Sequence, residues 1–304
     1  MATYNGEKYI AQQIESILQQ THQDYILYIS DDASTDNTFA IVEQFACQFP
    51  EKIKCARKTV NSGGAKHNFF NMMIEHKDDY IMLCDQDDIW LPNKIEVTLY
   101  EMLRMESQYG VETPILVHTD LEVVDEDILH VISPSLKETM RLDFSCTQFE
   151  KLISKNTLTG CTAMYNRSLA NMIAELPVFM IVHDWWLMLI ASAFGKIGAL
   201  DTKTVLYRQH SNNEVGAKNM QTLGYKINKL LNYRVAKNAL NDTYVQAQSF
   251  LDLYQNKLTD EQMYFLETYC SVSEMPKYKR WHTMCQIGVF GDGLLRKIVG
   301  FIFT

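Results

Sequence analysis

An apolar run, Tyr80-Ile81-Met82-Leu83-Cys84, ends abruptly in Asp85-Gln86-Asp87-Asp88. The run has the length of a buried strand, and it delivers three carboxylates to the strand's carboxyl end. In open α/β sheets that edge is where ligands bind. Residues i and i+2 of a strand point to the same side, so Asp85 and Asp87 are expected to face one spot. Two converging carboxylates repel each other unless a cation lies between them. Mg2+ or Mn2+ resolves this and keeps open positions for phosphate oxygens. The competing reading is a solvated acidic turn that caps the helix opening near Pro92.

The surrounding sequence alternates strand and helix signals, which implies an α/β fold with a mostly parallel sheet flanked by helices. Helical spacing appears at Ile10, Ile14, Ile17 and Leu18, and again at Phe39, Val42, Phe45 and Ala46. Helices are also expected over 65–76, from Pro92 to Ser107, and over 184–194. Strands are expected at 25–30, 53–56, 80–84, 115–118, 122–124, 159–165 and 204–208. Met1-Ala2-Thr3-Tyr4-Asn5-Gly6 reads as the end of a strand, with apolar residues expected ahead of it. After about Met220 the pattern turns helical. The expected domains are therefore 1–220, catalytic, and 221–304, a helical C-terminal extension.

Composition narrows the function classes. With 304 residues and 47% hydrophobic residues, the chain can bury a sizeable core. The formal net charge of -9 disfavours a nucleic-acid partner. A metal–nucleotide site tolerates an acidic protein, because the cation bridges carboxylates and phosphates. The seven cysteines are scattered without ligand-like spacing, as expected of reduced, buried thiols in the cytoplasm. Neither a signal peptide nor a run of ~20 apolar residues is present, so no membrane span is expected.

Four other segments offer chemistry. In Asp31-Asp32-Ala33-Ser34-Thr35-Asp36, Asp32 is the better ligand contact, while Asp36 can cap the next helix. Asn61-Ser62-Gly63-Gly64 opens a helix whose N–H groups can face an anion, with Lys66 and His67 nearby; an ordinary turn explains it equally. His183-Asp184-Trp185-Trp186 places a carboxylate at a helix start beside aromatics, as either a general base or an N-cap. Tyr207-Arg208-Gln209-His210 ends a strand with a phosphate-pairing arginine and a metal-binding histidine, or with plain surface residues. Thr159-Gly160-Cys161-Thr162 offers a small-residue wall.

Taken in order, Ala2-Thr3-Tyr4-Asn5-Gly6-Glu7, Asp31-Asp32-Ala33-Ser34-Thr35-Asp36, Asp85-Gln86-Asp87-Asp88-Ile89-Trp90-Leu91-Pro92-Asn93-Lys94 and His183-Asp184-Trp185-Trp186 resemble family 2 glycosyltransferases of the GT-A (nucleotide-diphospho-sugar transferase) fold. Bacterial rhamnosyltransferases of cell-wall and capsular polysaccharide synthesis are the most similar. The resemblance spans about residues 1–215. It implies an inverting transferase that uses a divalent metal, Mg2+ or Mn2+, and a dTDP- or UDP-sugar, with dTDP-rhamnose favoured. The acceptor it implies is a saccharide or a lipid-linked saccharide. Thr3, Tyr4, Asn5, Glu7, Asp32, Asn61, Gly63, Lys66, Asp85 and Arg208 would lie on the nucleotide side. Asp87, Asp85 and His210 would hold the metal, and Asp184 would be the base. Gly160, Cys161, Thr162, His183 and Trp185 would lie on the acceptor side. The QxxRW sequence of processive synthases is absent, so addition of one or a few sugars is expected.

Two further readings compete with this one: a nucleotidyltransferase, and an impaired transferase kept as an assembly subunit. The first lacks its glycine-and-basic loop near Thr3, and the intact acidic set opposes the second. At the C-terminus, Lys277, Lys279, Arg280 and Trp281 precede Leu294, Leu295, Ile298, Val299, Phe301, Ile302 and Phe303. Such a segment suits a peripheral place on the inner face of the plasma membrane, or packing against the chain or against a second copy in a homodimer.

Overall fold

The computed structural model describes residues 1–210 and 233–290, with side chains from residue 237 onward in the second stretch. The expected boundary near residue 220 and the apolar tail 294–303 lie outside these residues. The elements in chain order are β1 (Ala2–Thr3), α1 (Ile10–Leu18), β2 (Leu27–Asp31), α2 (Thr38–Gln48), β3 (Ile53–Arg57), α3 (Ala65–Glu75), β4 (Tyr80–Met82), β5 (Ile89–Trp90) and α4 (Lys94–Tyr109). There follow β6 (Ile115–Val124), β7 (Val131–Ser133), α5 (Leu136–Met140), α6 (Phe149–Leu152), β8 (Ala163–Asn166), α7 (Arg167–Met172), α8 (His183–Phe194), β9 (Lys196–Arg208), α9 (Tyr233–Tyr254), α10 (Asp260–Ser271) and α11 (Lys277–Gln286).

The described chain forms two compact units. The first holds Met1–Asp143, Leu158–Leu176 and the residues from Lys196 to His210; the second holds Phe144–Thr157, Pro177–Gly195 and residues 233–290. Two segments from before residue 220 thus belong with the late helices.

In the first unit, helical spacing works as the sequence implies. Ile10, Ile14 and Ile17 stand at intervals of four and three, so they share one face of α1. All three are buried, and with Val42 of α2 they cover Leu27 and Ile29 of β2 and Ile53 of β3. Each such side chain contributes roughly 1.5–3 kcal/mol by leaving water. β1, β2 and β3 pair in parallel, with Ala2 opposite Ser30 and Thr3 opposite Asp31. Here the expected parallel sheet holds.

The other sheet of this unit is mixed, in the order β4-β8-β6-β9-β5 with β7 on β6. Its parallel pair is β6 with β9, and the remaining pairs are antiparallel. The two strands expected at 115–118 and 122–124 are one strand, β6, with register shifts against β9 between His118 and Glu122. The shifts absorb the polar break that suggested two strands. The strand expected at 159–165 begins at Ala163, because Gly160–Thr162 forms a 3-10 turn. β9 starts at Lys196, well before the expected Thr204.

The second unit is built on aromatic packing. Trp186 is fully buried and tilts against Phe250 at 5.5 Å between ring centroids. Phe149 meets Phe250 at 5.4 Å and Phe265 at 5.9 Å. Thr259 and Gln262 form a reciprocal capping box at the start of α10, and the Gln262 amide also donates to the Ala193 carbonyl. Among the described residues no helix is long and apolar enough to cross a membrane.

Candidate active site

Strand β4 leads through Leu83 and Cys84, both buried, to the acidic loop. The three aspartates then diverge. Asp85, Asp88 and Cys161 each bring a ligand atom within 4.8 Å of the others. Asp87 turns instead to His210, whose Nε2 lies 2.8 Å from its Oδ2. The His210 ring stacks on Tyr9 at 4.7 Å. Asp88 is fully buried; its Oδ1 accepts from the Arg208 amide at 3.3 Å, and its Oδ2 is buried with no hydrogen-bond partner. Burial, then the charges of Asp87 and Asp85, push the Asp88 carboxyl well above its ordinary range. Burial, then Asp88, push the Cys161 thiol up as well.

This arrangement fits a divalent cation. Three carboxylates crowd one loop, one of their oxygens is buried and unpartnered, and an imidazole nitrogen stands beside another. Hard oxygen donors with one imidazole suit Mg2+ or Mn2+.

Arg208 holds this loop in place. Its Nε donates to the Asp87 carbonyl at 2.9 Å, one terminal nitrogen to the Glu126 carbonyl at 2.5 Å and the other to Gln12 at 2.6 Å. The guanidinium also lies over the Tyr9 ring, 4.8 Å from its centroid. It is 3% exposed, so its place in the fold is that of a buried tie. Below the loop, Lys94 is fully buried with its amine 4.7 Å from the Trp90 ring centroid. Burial lowers the Lys94 pKa to about 8.

The loop after β1 is fastened to the acidic loop by Gln86. The Tyr4 amide donates to Gln86 Oε1 at 2.9 Å, and Gln86 Nε2 donates to the Tyr4 carbonyl at 3.0 Å. A side chain at Gly6 would collide with the Gln86 carboxamide. Asn5 has positive φ and its Oδ1 accepts from the Thr35 amide at 2.8 Å. Glu7 accepts from the Asn37 amide at 2.9 Å. The loop after β2 is therefore bonded to the loop after β1 along its length. The N-cap of α2 is Asn37, not the expected Asp36; Asp36 stands one residue earlier and accepts from the Thr38 amide at 3.0 Å.

Asp32 is 2% exposed, and both its oxygens engage Ser62: Oδ1 accepts the amide at 3.0 Å and Oδ2 the hydroxyl at 2.8 Å. Asn61 donates to the Asp32 carbonyl at 2.9 Å, and Lys58 lies 3.5 Å from Oδ1. Gly63 has a φ of +93° and accepts a contact from His67 Nδ1 at 3.3 Å, which closes the turn before α3, where Lys66 lies in the first turn. The contact of Asp32 with the Asn61–Ser62 turn was not read from the sequence, which treated the two segments separately, and Asp31 was passed over. That carboxylate is fully buried, accepting from Thr3 at 3.1 Å and from the Ser34 hydroxyl at 2.5 Å. The signal was present: Leu27, Ile29 and Asp31 fall on one face at period two, and that face is buried.

Gly160, Cys161 and Thr162 are all buried in the first unit, and the Thr162 hydroxyl donates to the Thr159 carbonyl at 2.7 Å. Asp184, His183 and Trp185 belong to the second unit. Asp184 lies in the first turn of α8, where Val182 takes the N-cap position. Its Oδ1 accepts from the Trp185 amide at 2.5 Å and from Asn156 at 3.3 Å. Trp185 Nε1 donates to the Leu152 carbonyl at 2.8 Å, which fixes the turn. Burial lowers the His183 pKa to about 3, so this ring is neutral.

A parallel three-stranded sheet with a second, mixed sheet that follows an acidic loop is the arrangement of the GT-A fold. Solved structures share the fold over 99% of this chain. One is TarS 1-349 of S. aureus in complex with UDP-GlcNAc, at a TM-score of 0.54 and 14% identity over 88% of that chain. Another is the mannosyltransferase PcManGT of Pyrobaculum calidifontis in complex with GDP-Man and Mn2+, at a TM-score of 0.50 and 16% identity over 85% of that chain. Glycosyl transferase family 2 matches residues 1–173, and the chain belongs to that family. It is 32% identical to the dTDP-rhamnosyl transferase RfbG of Shigella flexneri over 270 residues, 82% of this chain and 87% of the relative. The protein is therefore a glycosyltransferase.

Proposed function

We propose that the protein transfers a sugar, rhamnose from dTDP-rhamnose, to a saccharide or lipid-linked saccharide acceptor with inversion at the anomeric carbon. The observation that carries the chemistry is the acidic loop, with Asp88 buried and Asp87 beside His210. The choice of donor is supported by the similarity to RfbG, whose name gives dTDP-rhamnose chemistry.

In this reading the loops around Thr3, Tyr4, Asn5, Glu7, Asp32 and Asn61 form the nucleotide side, and Gly63 and Lys66 lie toward the anion. A divalent cation held by Asp85, Asp87 and His210 would supply positive charge for the departing diphosphate. Asp184 takes the proton of the acceptor hydroxyl. That oxygen then bonds to the anomeric carbon as the bond from that carbon to the diphosphate oxygen breaks, and the electron pair leaves with the nucleotide. His183, Trp185 and the Gly160–Thr162 turn are assigned to the acceptor side. Residues 1–220 carry catalysis, and the helical residues beyond serve the acceptor or a second copy, at the inner face of the membrane.

The test is a donor panel of dTDP-rhamnose, UDP-glucose, UDP-galactose and GDP-mannose, each with Mg2+ or Mn2+, scored for binding and turnover. Metal-dependent turnover of dTDP-rhamnose above the others is the expected result. Turnover of another donor alone removes rhamnose, and turnover unchanged by a chelator removes the metal.

A further inference from the structure

Tyr9 stands where three segments of the first unit meet. It takes the N-cap position of α1, where its amide donates to the Gly6 carbonyl at 3.0 Å. Its hydroxyl reaches the loop between β6 and β7 and donates to Glu126 Oε1 at 2.6 Å. Its ring meets the residues that end and follow β9. The His210 imidazole stacks on it, with 4.7 Å between centroids and 25° between planes, and the Arg208 guanidinium lies 4.8 Å from its centroid. Tyr9 is buried, so these contacts are made away from bulk water.

The ring is held at both ends. The start of α1 fixes its backbone. At the far end, Glu126 is itself secured: its carboxylate also accepts from Lys8, and its carbonyl accepts from Arg208 at 2.5 Å. Tyr9 is therefore a fixed aromatic shelf beside the acidic loop.

His210 lies where such a shelf matters. It stands two residues past the end of β9, just after the Gln209 amide donates to the Val124 carbonyl at 2.9 Å. The torsion that turns an imidazole about its bond to Cβ is broad and only weakly restrained by itself. Turning that ring would carry Nε2 away from Oδ2 of Asp87, which it faces at 2.8 Å. It would also break the stack, and an offset aromatic stack favours its geometry by about three- to tenfold in an equilibrium.

We propose that Tyr9 is a positioning residue for His210. Its ring holds the imidazole plane so that Nε2 stays at Asp87, where a divalent cation would meet both side chains. This role rests on the reading that Asp87 and His210 hold the cation. Tyr9 acts through the imidazole and touches neither the cation nor a substrate.

The test is Mn2+ binding by the full-length chain without donor or acceptor, with free Mn2+ read by electron paramagnetic resonance. Five proteins are compared: the parent, Tyr9→Leu, Tyr9→Phe, His210→Ala and the double variant Tyr9→Leu/His210→Ala. Leucine keeps an apolar side chain in this buried place and removes the stacking face; phenylalanine keeps the face and loses the bond to Glu126. Tyr9→Leu is expected to raise the Kd for Mn2+ about three- to tenfold, and Tyr9→Phe to raise it no more than about twofold. Without the His210 ring Tyr9 has nothing to position, so the double variant should bind Mn2+ no more weakly than His210→Ala. Parental binding by Tyr9→Leu, while His210→Ala binds more weakly, overturns the role of Tyr9 alone. A double variant that multiplies the two losses also overturns it, because Tyr9 then supports the site without acting through His210. Parental binding by His210→Ala removes His210 from the cation, and the role of Tyr9 falls with that reading.

Discussion

Nε2 of His210 lies 2.8 Å from Oδ2 of Asp87, which joins the residues after β9 to the loop after β4 across 123 positions of sequence. Tyr9 stacks on the same imidazole and Arg208 holds the Asp87 carbonyl, so the pair is fixed from several sides. Asp87→Ala is expected to abolish metal-dependent donor turnover. His210→Ala is expected to raise the Mn2+ concentration for half-maximal activity by about 10–100-fold, the usual loss when a metal's surroundings are disturbed. Titration of activity with Mn2+ reads both. Full turnover by Asp87→Ala would remove the metal assignment.

Asp184 tests a different step. Its Oδ1 accepts from the Trp185 amide and from Asn156, and asparagine keeps an acceptor of the same shape there. Asp184→Asn is expected to bind dTDP with Mn2+ within about twofold of the parent. Transfer to an acceptor should fall by about 10²–10⁴-fold, the range of a general base. Calorimetry and product formation separate the two effects. Normal transfer would sink the base assignment.

Much of this was legible in the sequence because it is local. The spacing of Ile10, Ile14 and Ile17 gives α1 its buried face, and the run before Asp85 gives β4 its position. The acidic loop could be placed at a strand's end, but not its internal division. Strand alternation put Asp85 and Asp87 on one side; the chain leaves strand geometry after Met82, and Asp85 gathers with Asp88 and Cys161 while Asp87 meets His210. Gln86 was unreadable as a tie, because its partner Tyr4 is 82 residues away. The mixed sheet was hidden for the same reason, since strand direction is settled by partners far along the chain.

Gln86 leads to a prediction about donor affinity. Its two bonds to Tyr4 join the loop after β1, the proposed nucleotide side, to the acidic loop. Losing them costs on the order of 1–1.5 kcal/mol, or about tenfold in an equilibrium. Gln86→Ala should therefore raise the donor KM about tenfold with little change in kcat. Gly6→Ala displaces the same carboxamide and should do the same. Because both act through one contact, the double variant should be no worse than either alone. Multiplied effects in the double variant would show that the two residues act separately.

His118 sets a pH dependence of stability. It is 2% exposed on β6, opposite Ala163 of β8 and Ala199 of β9. Burial, its largest influence, lowers its pKa from 6.5 to about 4, and the Lys137 charge acts in the same direction. The unfolded chain takes up this proton as pH falls through 6.5, while the folded chain resists until about 4. Between those values protonation favours unfolding, so stability is lost as pH falls across that window and changes no further below it. The difference corresponds to about 3 kcal/mol at full extent. His118→Leu removes the titration and keeps an apolar side chain of similar bulk. Its urea midpoint should fall less steeply than the parent's from pH 6.5 to pH 4. Some slope should remain, because His183 is lowered to about 3 and acts with the same sign. Parallel midpoint curves for parent and variant would mean that His118 is already protonated in the folded protein, which its place among β6, β8 and β9 opposes.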